Sequence, residues 1–295
     1  MLLQSWTEMF DRLKERGRRF IGARRDYASI RALHRVATLI QAGYENDEWD
    51  MCVNGEMRLL RSMAPAQFAT LFDVGAHVGD WSAEALTVWS GSRVHAFEVA
   101  APTFARLRDH IDRRGLGDRS TLNAFGLSDT SGCREMFYFP DHPQLTCDMP
   151  RHDHAAATTF EARLMSGDGY VAEHGIDVID FIKIDVEGAE HLVLKGLRET
   201  IEAGRVQCIQ FEYGAFSIQT HVLLADYYAM LGSRYWIGKI FPNGVEFRDY
   251  HWTMENFRFS NFLCVSRQRP DLKALAQGAP AGARQRAPAV GIATP

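Results

Sequence analysis

A short apolar run that ends in a glycine-bearing turn constrains the fold of this chain more than any other feature. Residues 71–74 (LFDV) form the run, residues 75–79 (GAHVG) form the turn, and residues 80–86 have the composition of a helix start. A strand, a tight turn and a helix N-terminus in this order create a site at which backbone N–H groups face a ligand. Asp73 lies two residues before Gly75, the first residue of the turn, and adds a carboxylate to that site. A tight turn without a ligand is the alternative interpretation.

The spacing of the glycines distinguishes this turn from the common dinucleotide-binding fingerprint. The pattern is D-x-G-x-x-x-G, formed by Asp73, Gly75 and Gly79, and His77 stands where G-x-G-x-x-G has its second glycine. Glycine is needed where a Cβ would block close approach or the required backbone conformation. The pattern therefore disfavours a nicotinamide-dependent oxidoreductase.

Short apolar runs alternate with helical patterns from residue 70 onward, which predicts a parallel sheet with crossover helices. The predicted strands are residues 70–74, 94–98, 120–125, 179–185, 207–211, 235–241, 245–247 and 261–266. The turn Pro242-Asn243-Gly244 predicts a hairpin between two of them. Residues 129–155 are predicted to be mostly loop, apart from a short strand near residues 136–139.

Polar side chains follow the predicted strands at their C-terminal ends. They are Asp73, Glu98, Asn123, Asp185 with Glu187, and Glu212. Ligands bind at this edge of open α/β sheets, so we expect these side chains to line a common site. Glu98 also lies about twenty residues after Gly79, the usual distance for a second-strand carboxylate that binds a ribose hydroxyl pair.

Four segments of the chain resemble the FkbM family of S-adenosylmethionine (SAM)-dependent methyltransferases. They are FDVGAHVGDWS, HAFEV, NAFGLSDTSG and IDFIKIDVEGAEHLVLKGL, which together span residues 72–197. The resemblance implies a class I methyltransferase-like (Rossmann-like) α/β fold, with a mostly parallel seven-stranded sheet and helices on both faces. Together with the patterns at the two ends of the chain, it predicts a methyltransferase domain over residues 69–267. An N-terminal helical extension over residues 1–68 is predicted before this domain, and a disordered tail over residues 268–295 after it.

The resemblance also assigns roles to individual residues. It implies that Asp73, Gly75, His77 and Gly79 form the SAM loop, that Glu98 binds the ribose, and that Asn123, Ser128 and Asp129 lie near the adenine. It implies that Asp185, Glu187 and Glu190 of the D-V-E-G-A-E signature are catalytic and lie next to the methyl-transfer centre. The chain departs from the family at His77, where Asn is frequent, and at Val99, where Pro often follows the ribose acid.

The resemblance implies methyl transfer from SAM to a hydroxyl of a saccharide, glycolipid or secondary metabolite. An alcohol becomes a good nucleophile when its proton is removed, and a carboxylate or histidine can accept that proton. A divalent ion held by carboxylates, of the Mg²⁺ type, would lower the hydroxyl pKa instead. An N-methyltransferase and a non-catalytic partner domain that keeps the fold are the alternatives.

Charge and cysteine content narrow the class of protein further. The net charge of −4 argues against a general nucleic-acid binder, which would normally be basic. Five cysteines without a C-x-x-C pair indicate reduced thiols, and we expect a cytoplasmic protein. No apolar run is long enough for a transmembrane helix. No particular oligomeric state is indicated.

The two ends of the chain differ from its middle. Residues 1–25 combine apolar residues near helical spacing with many arginines, as in a basic amphipathic helix. Such a helix can make peripheral contact with an anionic membrane, and the alternative is a helix that covers the core or a partner subunit. Residues 268–295 are rich in Ala, Gly, Pro, Gln and Arg, which predicts disorder.

Overall fold

The computed structural model describes residues 2–149 and 157–278, with side-chain exposure described from residue 11 onward. The chain divides into two compact units at the boundary between Asp47 and Glu48. The first unit contains two helices, α1 (Leu2–Gly22) and α2 (Ala28–Tyr44). Within the described residues, no helix is both long enough and apolar enough to cross a membrane.

The second unit is built on a large sheet. Its strands and those of a smaller sheet are β1 (Thr70–Val74), β2 (Arg93–Phe97), β3 (Ser120–Asn123), β4 (Gly126–Ser128), β5 (Gly132–Tyr138), β6 (Thr158–Ser166), β7 (Ile179–Ile184), β8 (Val206–Tyr213), β9 (Tyr235–Phe241), β10 (Gly244–Phe247) and β11 (Ser260–Ser266). The large sheet has the order β10-β9-β11-β8-β7-β1-β2-β3. Strands β3, β2, β1, β7 and β8 are parallel to one another, whereas β11 and β10 run antiparallel to their neighbours.

Helices cover both faces of the large sheet. They are α3 (Glu56–Ser62), α4 (Asp80–Val88), α5 (Ala101–Arg113), α6 (Gly167–Glu173), α7 (Glu190–Gly196), α8 (Arg198–Glu202), α9 (Phe216–Thr220), α10 (Leu224–Leu231) and α11 (Pro270–Gln277). Successive strand residues point to opposite faces. One hydrophobic cluster therefore contains Phe72 and Ile182, and the other contains Leu71 and Phe181. The predicted mostly parallel sheet with helices on both faces is confirmed.

The large sheet has eight strands, one more than the seven that the resemblance implies. The additional edge pairing of β10 with β9 is the hairpin predicted at Pro242-Asn243-Gly244. The smaller sheet, with the order β4-β6-β5, occupies part of the segment predicted to be loop. Most residues of β5 and β6 are exposed or half-buried. Their sequences therefore lack the apolar run that marks the central strands.

The predicted boundary at residue 68 does not coincide with the division after Asp47. Helix α3 lies within the predicted extension, yet Met57, Leu59 and Leu60 are buried in the core of the second unit. The apolar residues of this short helix are too few to give a periodic signal that separates it from a linker.

The prediction of a disordered tail from residue 268 is wrong for its first part. Residues Pro270–Gln277 form helix α11, which buries Leu272 and Ala276 in the same cluster as α3. The sequence of this segment does not reveal the helix, because only two of its side chains are buried. The residues that cover them come from distant parts of the sequence. Residues 279–295 lie outside the described part of the chain.

Candidate active site

The turn between β1 and α4 depends on its two glycines. Gly75 has a φ of 83° and Gly79 a φ of 85°, in the left-handed region that favours glycine. A Cβ on Gly75 would overlap the carbonyl oxygen of Asp185, and a Cβ on Gly79 would lie 2.5 Å from a methyl carbon of Leu107. Close packing against two other segments therefore requires glycine at both positions.

The turn uses most of its own backbone donors. The N–H groups of Gly75 and Ala76 both donate to the Phe97 carbonyl, at 3.0 and 2.9 Å, and the Gly79 N–H donates to the Ala76 carbonyl. The His77 N–H donates to Glu98 Oε2 at 3.0 Å. The expectation that these N–H groups face a ligand is therefore wrong. They hold the turn in shape, because β2 lies directly beside it.

Glu98 sits at the end of β2 and is almost fully buried. Its Oε1 accepts from the Ala100 N–H at 2.8 Å, and its Oε2 accepts from the His77 N–H. Burial raises the pKa of Glu98 to about 7, although the two N–H donors act in the opposite direction. Each carboxylate oxygen has a second lone pair, so Glu98 can still accept from a hydroxyl of a bound molecule.

Three buried polar atoms around the turn have no hydrogen-bond partner among the described residues. They are Asp73 Oδ1, His77 Nε2 and Trp81 Nε1. The other oxygen of Asp73 accepts from Ser82 Oγ at 2.6 Å. Burial raises the pKa of Asp73 and lowers that of His77. Orphaned buried polar atoms are rare in folded proteins, so their concentration here is what a polar ligand at this turn would explain.

Asn123, Ser128 and Asp129 are held by contacts within the protein. The Asn123 side-chain NH₂ donates to the Ala96 carbonyl at 3.1 Å and lies 3.2 Å from the Tyr170 hydroxyl. Ser128 Oγ donates to Asp129 Oδ1 at 3.1 Å, and Arg134 lies 3.8 Å from the same oxygen. Their proximity to an adenine ring stays a prediction.

An ion pair between a buried lysine and a half-buried aspartate lies at the end of β7. Lys183 Nζ is 2.7 Å from Asp185 Oδ2. In register, Lys183 lies between Asp73 on β1 and Gln210 on β8, so these three residues are on one face of the sheet. Burial acts against the positive charge, but the carboxylates of Asp185, Glu56 and Asp73 outweigh it and raise the pKa of Lys183. Lys183 is thus a buried counter-charge to these carboxylates.

Three carboxylates converge beside this ion pair. Asp185, Glu187 and Glu212 each offer an oxygen, and these oxygens all lie within 4.8 Å of one another. Burial, followed by the charge of Asp185, raises the pKa of Glu212 well above its usual range. Burial acts in the same direction on Asp185, but Lys183 outweighs it and lowers the pKa of Asp185. Asp185 is therefore the stronger acid of this pair and Glu212 the weaker one.

The backbone around Glu187 is held in an unusual conformation. Glu187 has a φ of 56° and Gly188 a φ of 107°. Glu190 Oε1 accepts from the N–H groups of Val186 and Gly188, at 3.1 and 3.2 Å. Burial raises the pKa of Glu190 to about 7. Glu190 thus fastens the turn that carries Glu187, and it lies outside the set of three converging carboxylates.

A buried polar network extends from this cluster to α3. Glu56 accepts from Asn54 Nδ2 at 2.7 Å, from Gln210 Nε2 at 2.6 Å and from Asn261 Nδ2 at 3.1 Å. Sequence reasoning missed Glu56, because it lies 154 residues before Gln210 and belongs to no motif. The only local signal is the Asn54-Gly55-Glu56 turn, in which Gly55 has a φ of 107°.

The fold and the site together define the class of the protein. A mostly parallel sheet, a glycine turn after β1, an acid after β2 and acids after β7 match the class I methyltransferase arrangement predicted from the sequence. The methyltransferase FkbM domain matches residues 73–235, which is more than half of the 295 residues. The chain belongs to the FkbM methyltransferase family.

Two curated relatives are similar in sequence to part of this chain. It is 30% identical to 31-O-demethyl-FK506 methyltransferase FkbM of Streptomyces tacrolimicus, over 44% of this chain and 59% of that protein. It is 28% identical to hexuronic acid methyltransferase AglP of Haloferax volcanii, over 53% of this chain and 61% of that protein. The chain thus spans about three fifths of the length of these curated relatives. A crystal structure of methyltransferase FkbM from Methylobacillus flagellatus KT has 18% identity and a TM-score of 0.44, over 67% of this chain and 44% of that chain.

Proposed function

We propose that this protein is a SAM-dependent O-methyltransferase whose acceptor is a hydroxyl of a saccharide, glycolipid or secondary metabolite. One observation carries the proposal: the glycine turn and the acid cluster are in direct contact. The Asp185 N–H donates to the Val74 carbonyl at 2.9 Å, and Gly75 lies against the Asp185 carbonyl. A molecule bound at the turn therefore lies beside carboxylates that can accept a proton.

The residues around the turn fit SAM. Glu98 has free acceptor capacity for the ribose hydroxyls, and Asp73 Oδ1 is a buried acceptor without a partner among the described residues. Gly75 and Gly79 keep side chains out of the turn. When bound, SAM supplies an electrophilic methyl group on a sulfonium. The work left to the protein is to orient the acceptor, exclude water and remove one proton.

Asp185 is the best candidate for proton removal. Lys183, at 2.7 Å, lowers the pKa of Asp185 and so favours its charged form, whereas burial and the charge of Asp185 raise the pKa of Glu212. A hydroxyl that donates to Asp185 would lose its proton to this carboxylate when its oxygen takes the methyl group, and the sulfur of SAM would leave as a neutral thioether. The Lys183 ammonium, 2.7 Å from Asp185 Oδ2, holds this carboxylate in place to accept the proton.

Asp185, Glu187 and Glu212 are also close enough together to hold a divalent cation. Lys183 already supplies a positive charge to Asp185, and we propose that the reaction needs no metal. A chelator tests this part: activity that EDTA abolishes and Mg²⁺ restores would assign the cluster to a metal.

The acceptor class rests on the names of the relatives. One name refers to a 31-O-demethyl compound and the other to hexuronic acid. The first names an oxygen as the position that lacks a methyl group, and the second names a sugar acid.

The experiment has two parts. Isothermal titration with SAM, with NAD as the comparison ligand, is expected to give binding for SAM alone. Methyl-labelled SAM is then incubated with the protein and with separated lipid and saccharide extracts, and labelled products are tested for alkali-stable ether linkage. Label recovered only as N-methyl products would overturn the O-methyltransferase proposal, and lack of SAM binding would overturn the enzyme proposal as a whole.

A further inference from the structure

Helix α2 of the first unit carries a stripe of exposed apolar side chains. No residue of α2 is buried. Leu33, Val36 and Ile40 are 56%, 53% and 65% exposed, and Tyr44 is 80% exposed. These four residues are three or four positions apart, so they lie on one side of the helix. Soluble proteins rarely expose apolar side chains in such a contiguous row without a partner for it.

Helix α1 repeats the feature. Leu13 and Phe20 are 56% and 54% exposed, and Ile21 is 45% exposed. Leu13 and Phe20 are seven residues apart and therefore lie on the same side of α1. Both helices of the first unit thus present apolar side chains to the solvent.

The same segment is strongly basic. Residues 11–35 contain nine Arg and Lys against three Asp and Glu, an excess of six positive charges in a chain whose net charge is −4. The basic residues are Arg12, Lys14, Arg16, Arg18, Arg19, Arg24, Arg25, Arg31 and Arg35. Asp11 and Glu15 pair with Lys14 and Arg19, so most of these cations remain available to an external anion.

We propose that α1 and α2 bind the surface of a membrane that contains anionic lipids. An apolar stripe flanked by cations fits the boundary between acyl chains and negatively charged headgroups. A second copy of this chain is a poorer occupant, because each copy would bring an excess of positive charge to the shared interface. The helices lie on the membrane and do not span it, which agrees with their many charges. The proposal stands on the first unit alone and does not depend on the proposed chemistry.

The test uses the full chain in vesicle sedimentation. Vesicles of phosphatidylcholine are compared with vesicles in which about a third of the lipid is phosphatidylglycerol. We expect binding to the anionic vesicles only, with a loss of at least about ten-fold when the salt is raised from low to roughly 0.5 M, because salt screens the attraction. Equal binding to both vesicle types, or none to either, would overturn the proposal.

Two variants separate the apolar and charged contributions. Leu33→Ser with Val36→Ser and Ile40→Ser removes the stripe, and Arg16→Glu with Arg18→Glu and Arg25→Glu reverses exposed charges. Each is expected to weaken binding to anionic vesicles at least ten-fold with unchanged circular dichroism.

Trp252→Ser is the control, because it removes an apolar side chain that is 72% exposed but belongs to the second unit. This substitution is expected to leave vesicle binding unchanged. Light scattering measures the oligomeric state of the same proteins. A dimer that binds no vesicles, and that the triple variant Leu33→Ser, Val36→Ser and Ile40→Ser abolishes, would overturn the membrane proposal. That result would assign the stripe to a second copy.

Discussion

Gly75 lies directly against the backbone carbonyl of Asp185, so the glycine turn and the acidic signature form one site although they are far apart in sequence. The contact couples the predicted cofactor loop to the predicted chemical groups. It also explains why residue 75 cannot carry a side chain.

Gly75→Ala is expected to lower both the melting temperature and the affinity for SAM. A Cβ at this position would overlap the Asp185 oxygen, and the φ of 83° is unfavourable for alanine, so the turn must move. We expect SAM affinity to fall at least ten-fold in calorimetry. Gly91→Ala is the matched control, because nothing lies within 4 Å of the added Cβ. Wild-type affinity in Gly75→Ala would show that the turn does not contact the cofactor.

Glu98→Ala is expected to weaken SAM binding by roughly ten-fold to a hundred-fold. The loss of one charge-assisted hydrogen bond usually costs about 1.5–3 kcal/mol. The variant also frees the N–H groups of His77 and Ala100, so a melting curve is recorded alongside the titration. Glu173→Ala, an exposed change on α6, provides the control. An affinity equal to that of the control variant would reject the ribose assignment.

Asp185→Asn is expected to lower turnover at least about a hundred-fold, the usual scale for the loss of a general base. SAM affinity should change less, because the variant keeps the backbone contacts of residue 185 with the turn. Lys183 loses its ionised partner, so stability is measured in parallel, and Asp118→Asn controls for an exposed carboxylate.

Near-normal turnover in both Asp185→Asn and Glu187→Gln would make the cluster structural. The base would then be sought among His191, His221 and His251. Of these, His191 has a buried Nδ1 without a partner among the described residues.

Glu190→Gln is expected to stabilise the protein relative to the wild type increasingly as the pH rises. The folded-state pKa of Glu190 is about 7, above the ordinary value, so the folded protein binds this proton more tightly than the unfolded chain does. The free energy of unfolding therefore falls as the pH rises from about 4.5 through 7, by an amount on the order of 3 kcal/mol. Glutamine keeps the oxygen that accepts from Val186 and Gly188 and cannot ionise.

Thermal melts of both proteins between pH 5 and pH 8 check this expectation. Glu173→Gln, which changes an exposed residue, should show no such trend. A melting-temperature difference between Glu190→Gln and the wild type that does not vary with pH would contradict the role of burial.

Leu272→Ala is expected to lower the free energy of unfolding by about 2–4 kcal/mol. Leu272 is the fully buried leucine of α11, and the deletion of buried methyl groups leaves a cavity. Gln277→Ala, on the exposed side of the same helix, is expected to change little. Chemical denaturation measures both variants. Equal stabilities would mean that α11 does not dock, and that the tail is disordered from residue 268 onward as its composition predicts.

The central strands, the turns and the order of the elements could be predicted from the sequence because their signals are local. Residues 71–74 and 179–184 are apolar runs that end in polar groups, and Pro242-Asn243-Gly244 marks the hairpin. A glycine pattern reports a backbone requirement at its own position. Elements without a strong local signal were not predicted. β5 and β6 expose most of their residues, and α11 buries only two side chains.

Some features of the candidate active site could also be predicted from the sequence, and others could not. Its acids at the strand ends were visible in the sequence, since parallel strands end at a common edge. Only the tertiary structure decided which acids lie together in one cluster and which accept hydrogen bonds from backbone N–H groups. Glu212 joins Asp185 through the pairing of β8 with β7, whereas Glu190 turns back to the N–H groups of its own loop. Glu56 reaches the network from a helix that no motif marks. Burial and partner distance set these roles, and both depend on segments that are remote in the sequence.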